Sequence, residues 1–273
     1  MAQADAAARA SDRLLELAER LEQHAGFPEV VAALKAGHAA TLDGVWGSSC
    51  ALVTATLARH ASAPLVVVCP RVDDIDDFVD DLRLFTKLLP ATFPKTEPLN
   101  GERAIRDEAF GERIRLLKSL QGSEPPSLVF TSIQSLIHPV PERACLSQQT
   151  RSLRVGDETD RQALTRWLVE NEFHSMPAVE LPGEFSVRGG LLDIFAPDWS
   201  DPVRIEFFGD QIESIRRFEI SSQRSLGKLD AIDLTAVEPN AKYRGHLADY
   251  LPAGSWFLLV EPEELQEEGA HYL

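Results

Sequence analysis

The chain has 273 residues, 44% hydrophobic and 26% charged, which is globular usage, enough for one large or two modest cored domains, and excludes wholesale disorder or a fibrous protein. The 43 acidic residues against 27 basic ones leave a formal charge of −16, a field that repels phosphate backbones and argues against a general nucleic-acid clamp. The three cysteines, Cys50, Cys69 and Cys145, are far apart without a CxxC pair, and the 7 histidines are scattered, so neither a disulfide framework nor a metal site is indicated.

The Ala-rich start, Met1 to Arg13, lacks the apolar centre of a signal peptide, and no run reaches the ~18 apolar residues of a membrane span. A cytoplasmic protein without membrane contact is expected. Leu14, Leu15, Ala18 and Leu21 recur at helical spacing after Ser11, and a second helix is predicted from Pro28 to Ala36, stopped by Gly37. The stretch Leu42 to Ala51, the helix-like Leu52 to His60 and the apolar run Leu65 to Cys69 then read as strand, glycine turn, helix, strand.

From Val72 to Phe85, six aspartates surround Ile75, Phe78, Val79 and Leu82, the pattern of a helix with a solvated acidic face. Ala109 to Leu120 reads as a helix, Ser127 to Thr131 as a strand and Ser132 to Ile137 as a short helix. These segments predict α/β layering with a mostly parallel sheet over 1–150.

After about Thr150 one helical stretch, Asp157 to Asn171, gives way to the predicted strands Glu184–Arg188, Leu191–Phe195, Val203–Phe208 and Gln211–Phe218, turned at Gly189-Gly190 and Gly209-Asp210. A small α+β, hairpin-rich module over 151–235 is the expectation. Ala231 to Val237 and Trp256 to Val260 again read as core strands, so 236–273 is expected to return to the first domain. Glu261 to Leu273 shows no closing element, as a truncated piece of a longer protein would.

The glycine turn stands where an α/β NTPase keeps its phosphate loop. Gly44, Gly47 and Ser48 remain, but Ser49 replaces the second glycine, Cys50 the lysine and Ala51 the magnesium-binding hydroxyl. The only acids resembling its partners are Glu261 and Glu263, after the apolar run Phe257 to Val260. A degenerate loop without nucleotide, cofactor or metal, and a chain without catalytic residues, is the expectation.

In the module, strand alternation places Val203, Ile205 and Phe207 on one face and Arg204, Glu206 and Phe208 on the other. The same parity predicts Phe185 and Val187 inward, Ser186 and Arg188 outward. Exposed arginines beside an exposed ring are a hot-spot composition. The competing reading packs Phe208 under a neighbour and pairs the arginines with Glu206 or Asp210.

The run Phe185 to Phe195, then Pro202-Val203-Arg204-Ile205-Glu206-Phe207-Phe208-Gly209-Asp210 on to Arg216, then Ser222-Gln223-Arg224-Ser225, resembles the module shared by the transcription-repair coupling factor (Mfd) family and UvrB. With the Leu42 to Val53 loop, the likeness covers about residues 40 to 240. UvrB is expected to keep a complete GTGKT-like loop and arginine-glycine-aspartate where this chain has Arg188-Gly189-Gly190, so the coupling factors are the nearer resemblance.

That resemblance implies a degenerate, P-loop NTPase-like, UvrB-like domain carrying the surface that recruits UvrA, with Arg188, Arg204 and Phe208 as its contact residues. It also implies that ATP, magnesium, DNA and RNA polymerase belong to the motor and docking parts of the full-length translocase. Two other readings are a divergent UvrB-like ATPase, and a damaged-DNA binder using Arg216, Arg217 and Arg224.

Overall fold

A computed structural model describes residues 13–96, 107–237 and 243–272. They fall into two compact units, one taken from Met1–Lys95, Leu116–His138 and Tyr250–Leu273, the other from Thr96–Arg115 and Pro139–Asp249. No helix among the described residues is long and apolar enough to cross a membrane.

The first unit begins with α1 (13–22) and α2 (Phe27–Lys35), which has proline in its first turn, followed by α3 (Ser48–Ala58). Strand β1 (Leu65–Cys69), helix α4 (Asp73–Leu82) and strand β2 (Ala91–Phe93) come next. Helix α5 (Glu108–Leu120) is shared between the units, only Leu116 onward belonging to the first, and is followed there by β3 (Leu128–Ser132) and the short α6 (Ile133–Ile137), capped by the Ser132 hydroxyl. Every residue of β1 and β3 is buried, and the apolar runs Leu65 to Cys69 and Leu128 to Phe130 are those of a parallel sheet covered on both faces. With β12 (Trp256–Leu259) they form an all-parallel sheet of order β12-β1-β3-β2. Phe27, Val31, Ala55, Leu57, Val67 and Phe130 share the core beneath α2 and α3. On α4, Phe78 meets Phe130 edge-on at 5.1 Å, so the acidic helix has an inward apolar stripe as predicted.

Three expectations for this unit are corrected. No strand precedes the glycine turn, because Gly37 to Gly47 form turns and irregular backbone with mostly exposed residues and therefore lack a packed face. β12 is an edge strand pairing only with β1 among the described residues, and Phe257 and Leu259 alternate outward at 42% and 54% exposure. The end of the chain closes with α9 (Pro262–Ala270), started by proline and the first-turn acids Glu263 and Glu264. Its polar sequence hides it, since Leu265 and Gly269 are its buried residues.

The second unit contains α7 (Arg143–Gln148), β4 (Thr150–Arg154) and α8 (Arg161–Glu170), which Asp160 caps by accepting from the Gln162 and Ala163 amides. A six-stranded sheet follows, made of β5 (His174–Ser175), β6 (Glu184–Arg188), β7 (Leu191–Phe195), β8 (Val203–Phe208), β9 (Gln211–Phe218) and β10 (Ser225–Leu229). Neighbours from β6 to β10 are antiparallel hairpin partners, while β5 joins β6 in parallel. β11 (Ala231–Thr235) pairs with β4, Thr150 opposite Thr235, so the two ends of the 150–235 segment lie side by side. Leu164, Leu168, Leu192, Ile194, Ile205, Ile215 and Leu234 form its core.

The two-residue turn at Gly189-Gly190 is sterically required. Gly189 has φ 55°, and a Cβ on Gly190 would stand 2.8 Å from the Phe207 carbonyl oxygen, while the Gly190 carbonyl accepts from the Phe207 amide. Gly190→Ala is therefore expected to lower stability by about 1–3 kcal/mol through local overpacking, read from urea unfolding of the parent and variant.

Candidate functional site

At the glycine turn, Gly44 (φ 71°) and Gly47 (φ 54°) adopt backbone that side chains resist, and Gly47 caps α3 without a side-chain bond. Ser48, the first residue of α3, donates its hydroxyl to Asp81 of α4 at 2.6 Å. A carboxylate beside a helix start is favoured by the dipole, and here the protein supplies its own. Ser49 is exposed and Cys50 half-buried, while Ala51 is buried in the core. Burial and the nearby negative charge of Glu261 push the Cys50 thiol up, so it stays neutral at pH 7. Thus Gly44, Gly47, Ser48, Ser49, Cys50 and Ala51 come together as a helix start with acids on two sides and no lysine. Glu263 lies in the first turn of α9.

On the sheet of the second unit, paired residues define the faces. Ile205 stands between Leu192 and Ile215, and all three are buried, as are Val203 and Phe207. On the opposite face Glu206 lies between Leu191 and Ser214, and Arg204 between Asp193 and Arg216. Between Glu206 and Phe207 the pairing with β9 shifts by a bulge, which bends a strand and re-aims its side chains. Beyond it Phe207 is 7% exposed and Phe208 78%, so the adjacent rings have opposite surroundings.

Arg188 is exposed and donates from Nε to the Pro177 carbonyl at 3.1 Å. Arg204 differs, with a side chain only 14% exposed. Its Nε and Nη2 reach the two Asp193 oxygens at 2.6 and 2.7 Å, Nη2 also reaches Gln223 Oε1 at 2.8 Å, and Cζ lies 4.6 Å from the Phe218 ring centre. The hydrogen bond to Asp193 raises the Arg204 pKa despite partial burial. The expected partners Glu206 and Asp210 are therefore not its hydrogen-bonding ones. Instead Glu206 accepts from Ser214 and lies 3.7 Å from Arg216.

Burial on β6 departs from parity. Ser186 is buried, its hydroxyl donating to Pro177, and Val187 is 43% exposed. The segment 176–181 covers the outer face there, held by Glu184, whose carboxylate accepts from the Glu180 and Leu181 amides. β5 flanks only Glu184 and Phe185, leaving Val187 on an open edge. Asp193, Gln223 and Phe218 were not singled out from sequence. A charged residue between Leu192 and Ile194 in an otherwise apolar strand was the available signal for a buried pair.

Residues 152–243 match the UvrB interaction domain family. The chain is 38% identical over 217 residues to the transcription-repair-coupling factor of Myxococcus xanthus, covering 76% of this chain and 18% of that protein. By sequence the chain belongs with the transcription-repair coupling factors. Those of Mycobacterium bovis (37% over 193 residues, 68% of the chain, 15% of the relative) and Escherichia coli (27% over 202 residues, 74% and 18%) are similar too. The chain thus spans less than a fifth of the coupling factors it matches. The exposed Phe208 and Arg188 and the clamped Arg204 all lie in the part that matches the interaction domain.

Proposed function

We propose that this chain recruits UvrA in nucleotide excision repair, using the open end of the six-stranded sheet where Phe208, Arg188 and Arg204 share a face. The observation that carries this reading is the 78% exposure of Phe208 beside the buried Phe207, within the interaction-domain match. A large ring loses little entropy on docking, which is why such residues anchor interfaces. We assign the polymerase contact, the DNA contact and the ATP- and magnesium-dependent motor to other parts of a longer coupling factor, and 150–235 to a docking module whose ends meet at Thr150 and Thr235. Passing the purified chain over immobilised UvrA tests the proposal, with retention expected and passage in the void volume counting against it.

A damaged-DNA reading is disfavoured by the arginines it needs. Arg216 lies near Glu206 (3.7 Å) and Arg217 near Asp201 (3.9 Å), and as strand neighbours they face opposite ways. The ATPase reading meets a neutral thiol and two carboxylates where a phosphate would need a cation. Calorimetric titration with magnesium-ATP is expected to give no binding heat and no turnover, even after Cys50→Lys with Ala51→Thr, since Ser49 and the Ser48–Asp81 contact persist. Turnover abolished by changing Gly47 would refute that expectation.

A further inference from the structure

Arg204 shares the proposed docking face by parity, yet its hydrogen-bonding groups are turned into the protein. Three of its five donors are already directed at Asp193 and Gln223, and its plane rests over Phe218. Asp193 is 6% exposed. A partner that drew this guanidinium away would leave that carboxylate buried without its counter-charge, the costly half of breaking a buried pair.

Arg204 also stands directly opposite Arg216 on β9. Like charges in that position repel, and each is offset by its own acid, Asp193 for Arg204 and Glu206 for Arg216. The clamp reaches one strand further, into the turn after β9. Gln223, at φ 58°, accepts from Arg204 through Oε1, while its Nε2 donates to the Ile220 carbonyl at 2.9 Å. One side chain therefore ties β7, β8, β9 and the β9–β10 turn together.

The bulge between Glu206 and Phe207 lies between this clamp and the two rings, buried Phe207 and exposed Phe208. A slip of one residue in β8 would exchange the two rings. We propose that Arg204 serves UvrA recruitment as a positioning residue, and that Asp193, Phe218 and Gln223 are its working partners, fixing the strand register that presents Phe208 and Arg188. This inference rests on the docking reading above and adds to it that Asp193, too buried to meet a partner, governs affinity.

The test measures UvrA affinity and Tm for the whole chain and four variants, Asp193→Ala, Arg204→Ala, the double Asp193→Leu with Arg204→Leu, and Phe208→Ala. Asp193→Ala is expected to weaken UvrA binding by about tenfold or more and to lower Tm. The double variant replaces the ion pair by packed apolar chains, and is expected to recover Tm and to bind within about threefold of the parent.

A double variant with parental Tm that binds as poorly as Arg204→Ala would show that the guanidinium itself touches UvrA, and would overturn the inference. If the double variant does not fold, Asp193→Asn decides. Weaker binding with a lower Tm supports the clamp, and a lower Tm at unchanged affinity overturns it. Phe208→Ala separates the two levels, because a parent that fails to bind UvrA, or a Phe208 variant that binds as well as the parent, removes the docking reading as well. A normal Phe208 effect without rescue removes the positioning role alone.

Discussion

Phe207→Ala is expected to destabilise the second unit by about 3–5 kcal/mol, the usual cost of deleting a buried ring. Phe207 is 7% exposed and packs in the core with Ile205, Ile212, Leu192 and Phe185. Its amide is held by the Gly190 carbonyl at 2.8 Å, so the backbone cannot readily close around the void. Urea unfolding followed by far-ultraviolet circular dichroism would read the loss. A variant as stable as the parent would place Phe207 on the wrong face and shift the strand register by one residue.

Phe208→Ala is expected to act on binding alone. At 78% exposure the ring contributes little packing, so stability should change by no more than about 0.5 kcal/mol, as for other surface substitutions. The loss in UvrA affinity should be about 1–4 kcal/mol, the range of an interface anchor. The contrast between adjacent phenylalanines is the informative feature, since a nonspecific effect of losing a ring would move stability and affinity together.

Much of this architecture was legible because period and turn chemistry agreed. The strands from Glu184 to Phe218 carry alternation and glycine turns, and the observed strands have those same bounds. Leu65 to Cys69 was readable as an unbroken apolar run. The rest failed for identifiable reasons. α9 is mostly acidic and buries only Leu265 and Gly269, so periodicity had almost nothing to register. β4 has the pattern Thr150-Arg151-Ser152-Leu153-Arg154, with one fully buried position, Leu153, and its pairing with β11 is a long-range event.

At the candidate site, parity put Arg188, Arg204 and Phe208 on one face but did not show what covers it. The 176–181 segment buries Ser186, and the clamp takes up Arg204, through contacts across 9 to 19 positions of sequence. The empty lysine and hydroxyl positions of the glycine turn were readable residue by residue. The carboxylate of Asp81 beside Ser48, 33 positions away, was not.

Calorimetric titration of UvrA into the parent and into Phe208→Ala tests most directly whether this chain meets UvrA through Phe208, as proposed. Saturable binding by the parent and affinity about tenfold or more weaker for the variant, at equal Tm, is the predicted result. Equal affinities for the two chains, or no binding by a folded parent, would contradict it.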